Sequence, residues 1–125
     1  MDKSTRQIVF LGSTRKDLTK LPADVRDMFS HGLKMASFGE NPIDSKPLKG
    51  FGGTSVVELI ENHKSDTYRA VYTVKFKEAL YVLHVFKKKS TKGIATPKKD
   101  KELIEKRLKD AKSHHKTNFS ARKRG

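Results

Sequence analysis

Apolar residues along the chain fall into runs with two different periods, and those periods predict the elements. Residues 7–11 (QIVFL) are a short continuous apolar run closed by Gly12-Ser13, which predicts a strand. Thr14 with Asp17 three residues later has the spacing of a capping box, so a helix starts there. It is short, because Pro22 cannot sit in a helix interior. Pro22 suits the first turn of a second helix instead. Leu18, Leu21, Val25, Met28 or Phe29, Gly32 and Ala36 recur at spacings of three and four, and Gly39 supplies a stop. Residues 13–38 therefore predict a helical hairpin with one apolar stripe that covers a sheet.

Residues 39–54 (GENPIDSKPLKGFGGT) carry two Pro and four Gly and predict a loop. Three runs rich in Val, Ile, Tyr and Phe follow: 55–61, 67–76 and 79–88. Their links, NHKSD and KE, are hairpin-short, which predicts an antiparallel meander. Ser90 to Ala95 reads as a loop. Thr96-Pro97 then reads as a cap with proline at the first helical position. Leu103, Ile104, Leu108 and Ala111 give a narrow stripe on a last helix, 97–113. The order β-α-α-β-β-β-α predicts an α+β fold, an antiparallel twisted sheet with the hairpin packed on one face. The other face is left open to a ligand.

Charge then separates body from tail. The chain of 125 residues has a net charge of +14. Residues 86–125 hold 15 Lys and Arg against four Asp and Glu, whereas residues 1–85 are close to balanced. Residues 1–113 read as one domain and 114–125 as a basic, disordered tail. Such a surplus favours a polyanionic partner. No apolar run is long enough to span a bilayer, and the N-terminus lacks a secretory signal pattern. With no cysteine, disulfide scaffolds, thiol nucleophiles and Cys-based metal sites are excluded. The chain has no Walker loop, GxSxG or HExxH motif, and its histidines lack metal-ligand spacing. Gly50-Phe51-Gly52-Gly53 reads as a turn. The expected metal and cofactor set is empty.

Strand alternation then places candidate chemistry. Tyr68, Ala70, Tyr72, Val74 and Phe76 share an apolar face that suits the helices, which leaves Arg69, Val71, Thr73 and Lys75 on the open one. On the last strand the Tyr81, Leu83 and Val85 set is the better core face, so His84, Phe86 and Lys88 point with Arg69. Lys87, Lys89 and Lys92 crowd the strand end. A guanidinium, an imidazole, a phenyl ring and ammoniums on one surface suit RNA: cations for phosphate, an aromatic for stacking and a titratable ring. The plainer alternative pairs Arg69 with Glu58, makes His84 a satisfied semi-buried ring, and makes the lysines a solvated strand edge.

Residues 68–111, YRAVYTVKFKEALYVLHVFKKKSTKGIATPKKDKELIEKRLKDA, resemble the phage-derived Gp49-like/HigB branch of the RelE superfamily of type II toxin–antitoxin toxins. Tyr68-Arg69 with Tyr72, LHVFKKK, Thr96-Pro97 and the KRLKDA helix end carry the likeness. Upstream, LPADVRDMF and LKGFGGTSVVEL extend it. The resemblance implies a RelE-like fold and a cytoplasmic, ribosome-dependent mRNA interferase that cuts translated mRNA without metal or cofactor. It also implies a helix-turn-helix antitoxin as partner, with operator DNA met only through that antitoxin. Arg69 matches the arginine of the scissile phosphate, and Lys88 matches a second RelE-type arginine. Val56 and Glu58 stand where RelE-type toxins carry lysines, and their C-terminal catalytic tyrosine has no counterpart.

Arg69, Lys88 and His84 are thus the catalytic candidates, with Lys75, Phe86, Lys87, Lys89 and Lys92 as RNA contacts. Arg69→Ala is expected to leave the fold intact and remove toxicity. The competing functions are a non-catalytic RNA- or ribosome-binding protein, and a degenerate toxin that keeps antitoxin binding.

Overall fold

The computed structural model describes residues 5–88 and 96–119. Strand β1 (Gln7–Phe10) leads into helix α1 (Thr14–Thr19) and helix α2 (Ala23–Ser37). Strands β2 (Ser45–Pro47), β3 (Val56–His63), β4 (Asp66–Thr73) and β5 (Ala79–Lys88) follow, and helix α3 (Lys98–Asn118) ends the order. The five strands form one sheet in the order β1-β5-β4-β3-β2. The mixed α+β architecture read from the periods is present. The sheet is mixed, because β1 runs parallel to β5 while the other pairs are antiparallel. The short β2 lies inside the segment expected to be loop.

The helical hairpin breaks at the proline, though with Pro22 as the N-cap at φ −55° and Ala23 as the first helical residue. Ser13 caps α1, and its hydroxyl meets Asp17 at 2.8 Å. Gly39 takes φ +89° and ends α2, its N–H bonding the Ala36 carbonyl. Leu18, Val25, Phe29, Leu33 and Ala36 pack onto Leu59, Tyr68, Ala70, Tyr72, Leu80, Val82 and Val85. Phe29 fills the stripe position, and Met28 points outward.

The other face is not open. Helix α3 lies across it, and Ile104 and Ala111 pack with Val56, Val71, Ala79, Tyr81 and Leu83 in a second core. The expected bare surface is therefore overturned: a narrow stripe of apolar residues is enough to seat an otherwise charged helix, whose opposite side stays in water. A bulge between Val71 and Tyr72 explains the misplaced half of β5. Val71 pairs with His84 and Tyr72 with Val82, so Leu83 has no place in the register. One extra residue exchanges the faces of a strand. Tyr81 and Leu83 therefore lie under α3, and Leu80, Val82 and Val85 lie under the hairpin. Arg107 of α3 donates to the carbonyl of Leu83 at 3.0 Å.

Helix α3 also runs five residues past its expected end. His115 bonds Glu78 at 2.7 Å and stacks on Phe76. His114 Nδ1 lies 2.8 Å from the Tyr81 hydroxyl. Residues 114–118 are thus helical, with His114 and His115 packed on the sheet, which corrects their assignment to a disordered tail; 120–125 lie outside the described residues. At the other end Pro97 is the N-cap and Lys98 the first helical residue, so Thr96 is not the cap.

Candidate active site

Register on the α3-facing side brings three polar side chains together. Glu58 on β3 pairs with Val71 on β4, and Val71 pairs with His84 on β5. Paired residues share a face, so Glu58 and His84 flank Val71, with backbones about 10 Å apart across two strand spacings. Arg69, two residues before Val71, points the same way and pairs with Phe86.

Arg69 and Glu58 form an ion pair inside the protein. Nη1 of Arg69 donates to Oε1 at 2.8 Å and to Oε2 at 3.0 Å. Arg69 is 5% exposed and Glu58 3%. A carboxylate at this depth requires a cation partner, since an isolated buried charge is far more costly than a paired one. His84 Nε2 lies 2.8 Å from Asp100 Oδ1 in the first turn of α3. Its other nitrogen, Nδ1, is buried without a hydrogen-bond partner among the described residues. Phe86 stacks on the imidazole with centroids 4.3 Å apart and planes 15° apart. Asp100 therefore fixes the ring's tilt and Phe86 its plane.

Of the residues singled out from sequence, Arg69, His84, Phe86 and Lys88 do share one face, and Arg69 and His84 are buried on it. Lys87 pairs with Tyr68 and so points to the hairpin side, where it is exposed 3.7 Å from Asp66. Lys75 lies beyond the end of β4, six residues from Arg69, and is not part of the cluster. Lys89 and Lys92 lie outside the described residues. Glu58 and Asp100 were missed as members. The available signal was a carboxylate amid Val, Leu and Ile in a strand, where burial requires a cation within reach.

A cavity of about 300 Å³ opens beside this row, between β2 with its following loop and the start of α3. The buried Glu58 lines it, together with Lys46, Lys49, Thr96 and Lys101. Among the described residues no three of His, Asp and Glu converge as a metal site would need. The row offers a carboxylate, a guanidinium and an imidazole: a base, an anion-stabilising fork and a proton carrier.

A family model for the phage-derived Gp49-like proteins (DUF891) matches residues 16–109, which takes in the hairpin, strands β2 to β5 and most of α3. The chain belongs to the Gp49-like family. Neither a curated protein nor a solved structure matches it. Membership is compatible with the toxin of a toxin–antitoxin module. The match contains Glu58, Arg69, His84 and Asp100, so the whole row lies in the family's shared region. Among the described residues of this Gp49-like chain, no helix is long and apolar enough to cross a membrane.

Proposed function

We propose that this Gp49-like chain is the toxin of a type II toxin–antitoxin module and an endoribonuclease that cuts translated mRNA on the ribosome. The observation that carries the reading is the row of Glu58, Arg69 and His84 on one sheet face. In the proposed step the 2′-OH of the substrate attacks the adjacent phosphorus. Glu58 takes the proton of that hydroxyl. Arg69, on the strand between theirs, stabilises the negative charge that develops on the phosphorane, commonly the largest single contribution. His84, held by Asp100, gives a proton to the departing 5′ oxygen. The products are a 2′,3′-cyclic phosphate and a 5′-OH, with the enzyme's proton inventory restored when His84 and Glu58 exchange with water. Phe86 keeps the ring in plane, and Lys88 adds positive charge at the strand end.

Arg69 and His84 are 5% and 8% exposed. A helix-turn-helix antitoxin would neutralise the protein and supply operator binding in the cytoplasm. The second reading is a non-catalytic RNA- or ribosome-binding protein, and the neutralised Arg69–Glu58 pair is the observation in its favour. Mapping mRNA 5′ ends after induced expression separates the two. The proposal expects new 5′-OH ends inside translated frames with wild type and their loss with His84→Gln. Growth inhibition without such ends would leave the binding reading.

A further inference from the structure

We propose that the cavity between β2 and the start of α3 is a phosphodiester subsite, which holds a phosphate of the RNA strand next to the cleaved bond. The inference rests on the RNA-cleaving reading and extends it to a surface that reading does not use. Three lysines, Lys46, Lys49 and Lys101, line the cavity. The N-terminal end of the 21-residue α3 adds its positive dipole end, and no side chain among the described residues caps it. Asp100, the acid of that first turn, is already engaged with His84. Glu58 lines the inner wall, but Arg69 balances its charge, so it does not cancel the lysines.

A second observation points to a ligand. Thr96 lines the same cavity and is 9% exposed, and its hydroxyl oxygen is buried with no hydrogen-bond partner among the described residues. A buried hydroxyl left without a partner forfeits the hydration it had in the unfolded chain and gains nothing in return. An anion oxygen in the cavity would accept its proton. The loop is also shaped around Lys101: Gly50 has φ +95°, and a Cβ there would come within 3.3 Å of the Lys101 ammonium. Lys46 and Lys49 are exposed at the mouth, which leaves room for a chain to continue in and out. The far end of the cavity is Glu58, so a strand seated here leads directly to the catalytic row.

The test uses the full chain and a fluorescent 2′-O-methyl RNA decamer, which lacks the attacking hydroxyl. Anisotropy is read across a salt series. Lys49→Ala with Lys101→Ala should weaken binding at least tenfold and reduce the log K against log salt slope by about 0.7 for each phosphate no longer neutralised. Thr96→Val should weaken binding several-fold with the slope unchanged. Lys106→Ala with Lys112→Ala removes the same charge from a more distant part of α3 and should matter much less. Equal loss in that control, or wild-type affinity in Thr96→Val, overturns the subsite. Inorganic phosphate that shifts the Thr96 and Lys101 amide resonances, where the decamer does not, also overturns it in favour of a free-anion site. If wild type leaves no 5′-OH ends in cells yet the cavity variants lose decamer binding selectively, the cleavage reading falls and the subsite stands. If wild type cleaves and Lys49→Ala with Lys101→Ala binds and cleaves normally, the subsite alone falls.

Discussion

Arg69→Ala leaves the Glu58 carboxylate, 3% exposed, without the guanidinium that donates to both of its oxygens. Breaking a buried pair from one side costs about 3–5 kcal/mol, because the remaining charge stays dehydrated. Removing both charges with Arg69→Met and Glu58→Leu should cost far less, since apolar replacements of similar volume are often neutral or stabilising. The coupling in the double-mutant cycle is thus expected at about 3 kcal/mol. Urea unfolding followed by circular dichroism reads it directly. With a slope of about 1–1.5 kcal/mol per molar for a domain of this size, Arg69→Ala should lower the midpoint by roughly 2–5 M. That is a large share of the total stability of an ordinary domain, about 5–15 kcal/mol. Lost toxicity in Arg69→Ala would therefore not by itself report on chemistry, which changes the expectation drawn from the strand pattern alone. A cost below about 1 kcal/mol, or additive single effects, would refute the buried pair.

Three further outcomes follow from the packing. Gly12→Ala should destabilise by about 1–2 kcal/mol in thermal or urea unfolding, the cost of a side chain in the left-handed region. Gly12 has φ +55°, and a Cβ there would lie 2.7 Å from the Arg107 guanidinium, whose flexible end can shift aside; unchanged stability would mean that Gly12 is not held left-handed. Ile104→Ala, at a fully buried position, should cost about 2–5 kcal/mol and loosen α3, seen as faster amide exchange along the helix; a loss under about 1 kcal/mol would count against the second core. Burial pushes the Tyr72 and Tyr81 phenols up to about 12, with Glu78 adding to the rise at Tyr81 and a Ser45 hydrogen bond opposing it at Tyr72. Unfolded tyrosines lose their protons near pH 10 while the folded ones keep theirs, so stability should fall between about pH 10 and 12, by up to roughly 3 kcal/mol per ring. Tyr72→Phe and Tyr81→Phe should each flatten that fall, and an unchanged pH profile would speak against buried neutral phenols.

The elements are legible where burial writes a long period. The hairpin stripe from Leu18 to Ala36 and the Val- and Tyr-rich strands are such cases. The three residues of β2 include a proline, a composition that an edge strand tolerates but that reads as loop. The end of α3 escapes the pattern because its stripe continues from Ile104, Leu108 and Ala111 into His115, and a histidine does not register as apolar although it stacks on Phe76. The bulge at Leu83 leaves no mark in the residue pattern, yet it reverses the facing of half a strand. For the site, alternation correctly aligns Arg69, His84, Phe86 and Lys88, because they lie on the far side of the bulge from Tyr81. Glu58 enters the sequence reading only as a partner for Arg69. Its place opposite His84 depends on the register of three strands, which is a property of the sheet and not of any one segment. Asp100 is sixteen residues from His84, and only the seating of α3 brings them together.

If Glu58 and His84, across Arg69, move the protons of RNA cleavage, the chemical step itself must slow when either is neutralised. Single-turnover cleavage of mRNA on programmed ribosomes, with toxin in excess, isolates that step. Glu58→Gln and His84→Gln, each verified as folded and ribosome-bound, should slow it by about 10²–10⁴-fold while wild type leaves a 2′,3′-cyclic phosphate and a 5′-OH. Rates within about threefold of wild type for both variants, far short of that range, would show that neither side chain carries a proton in the reaction.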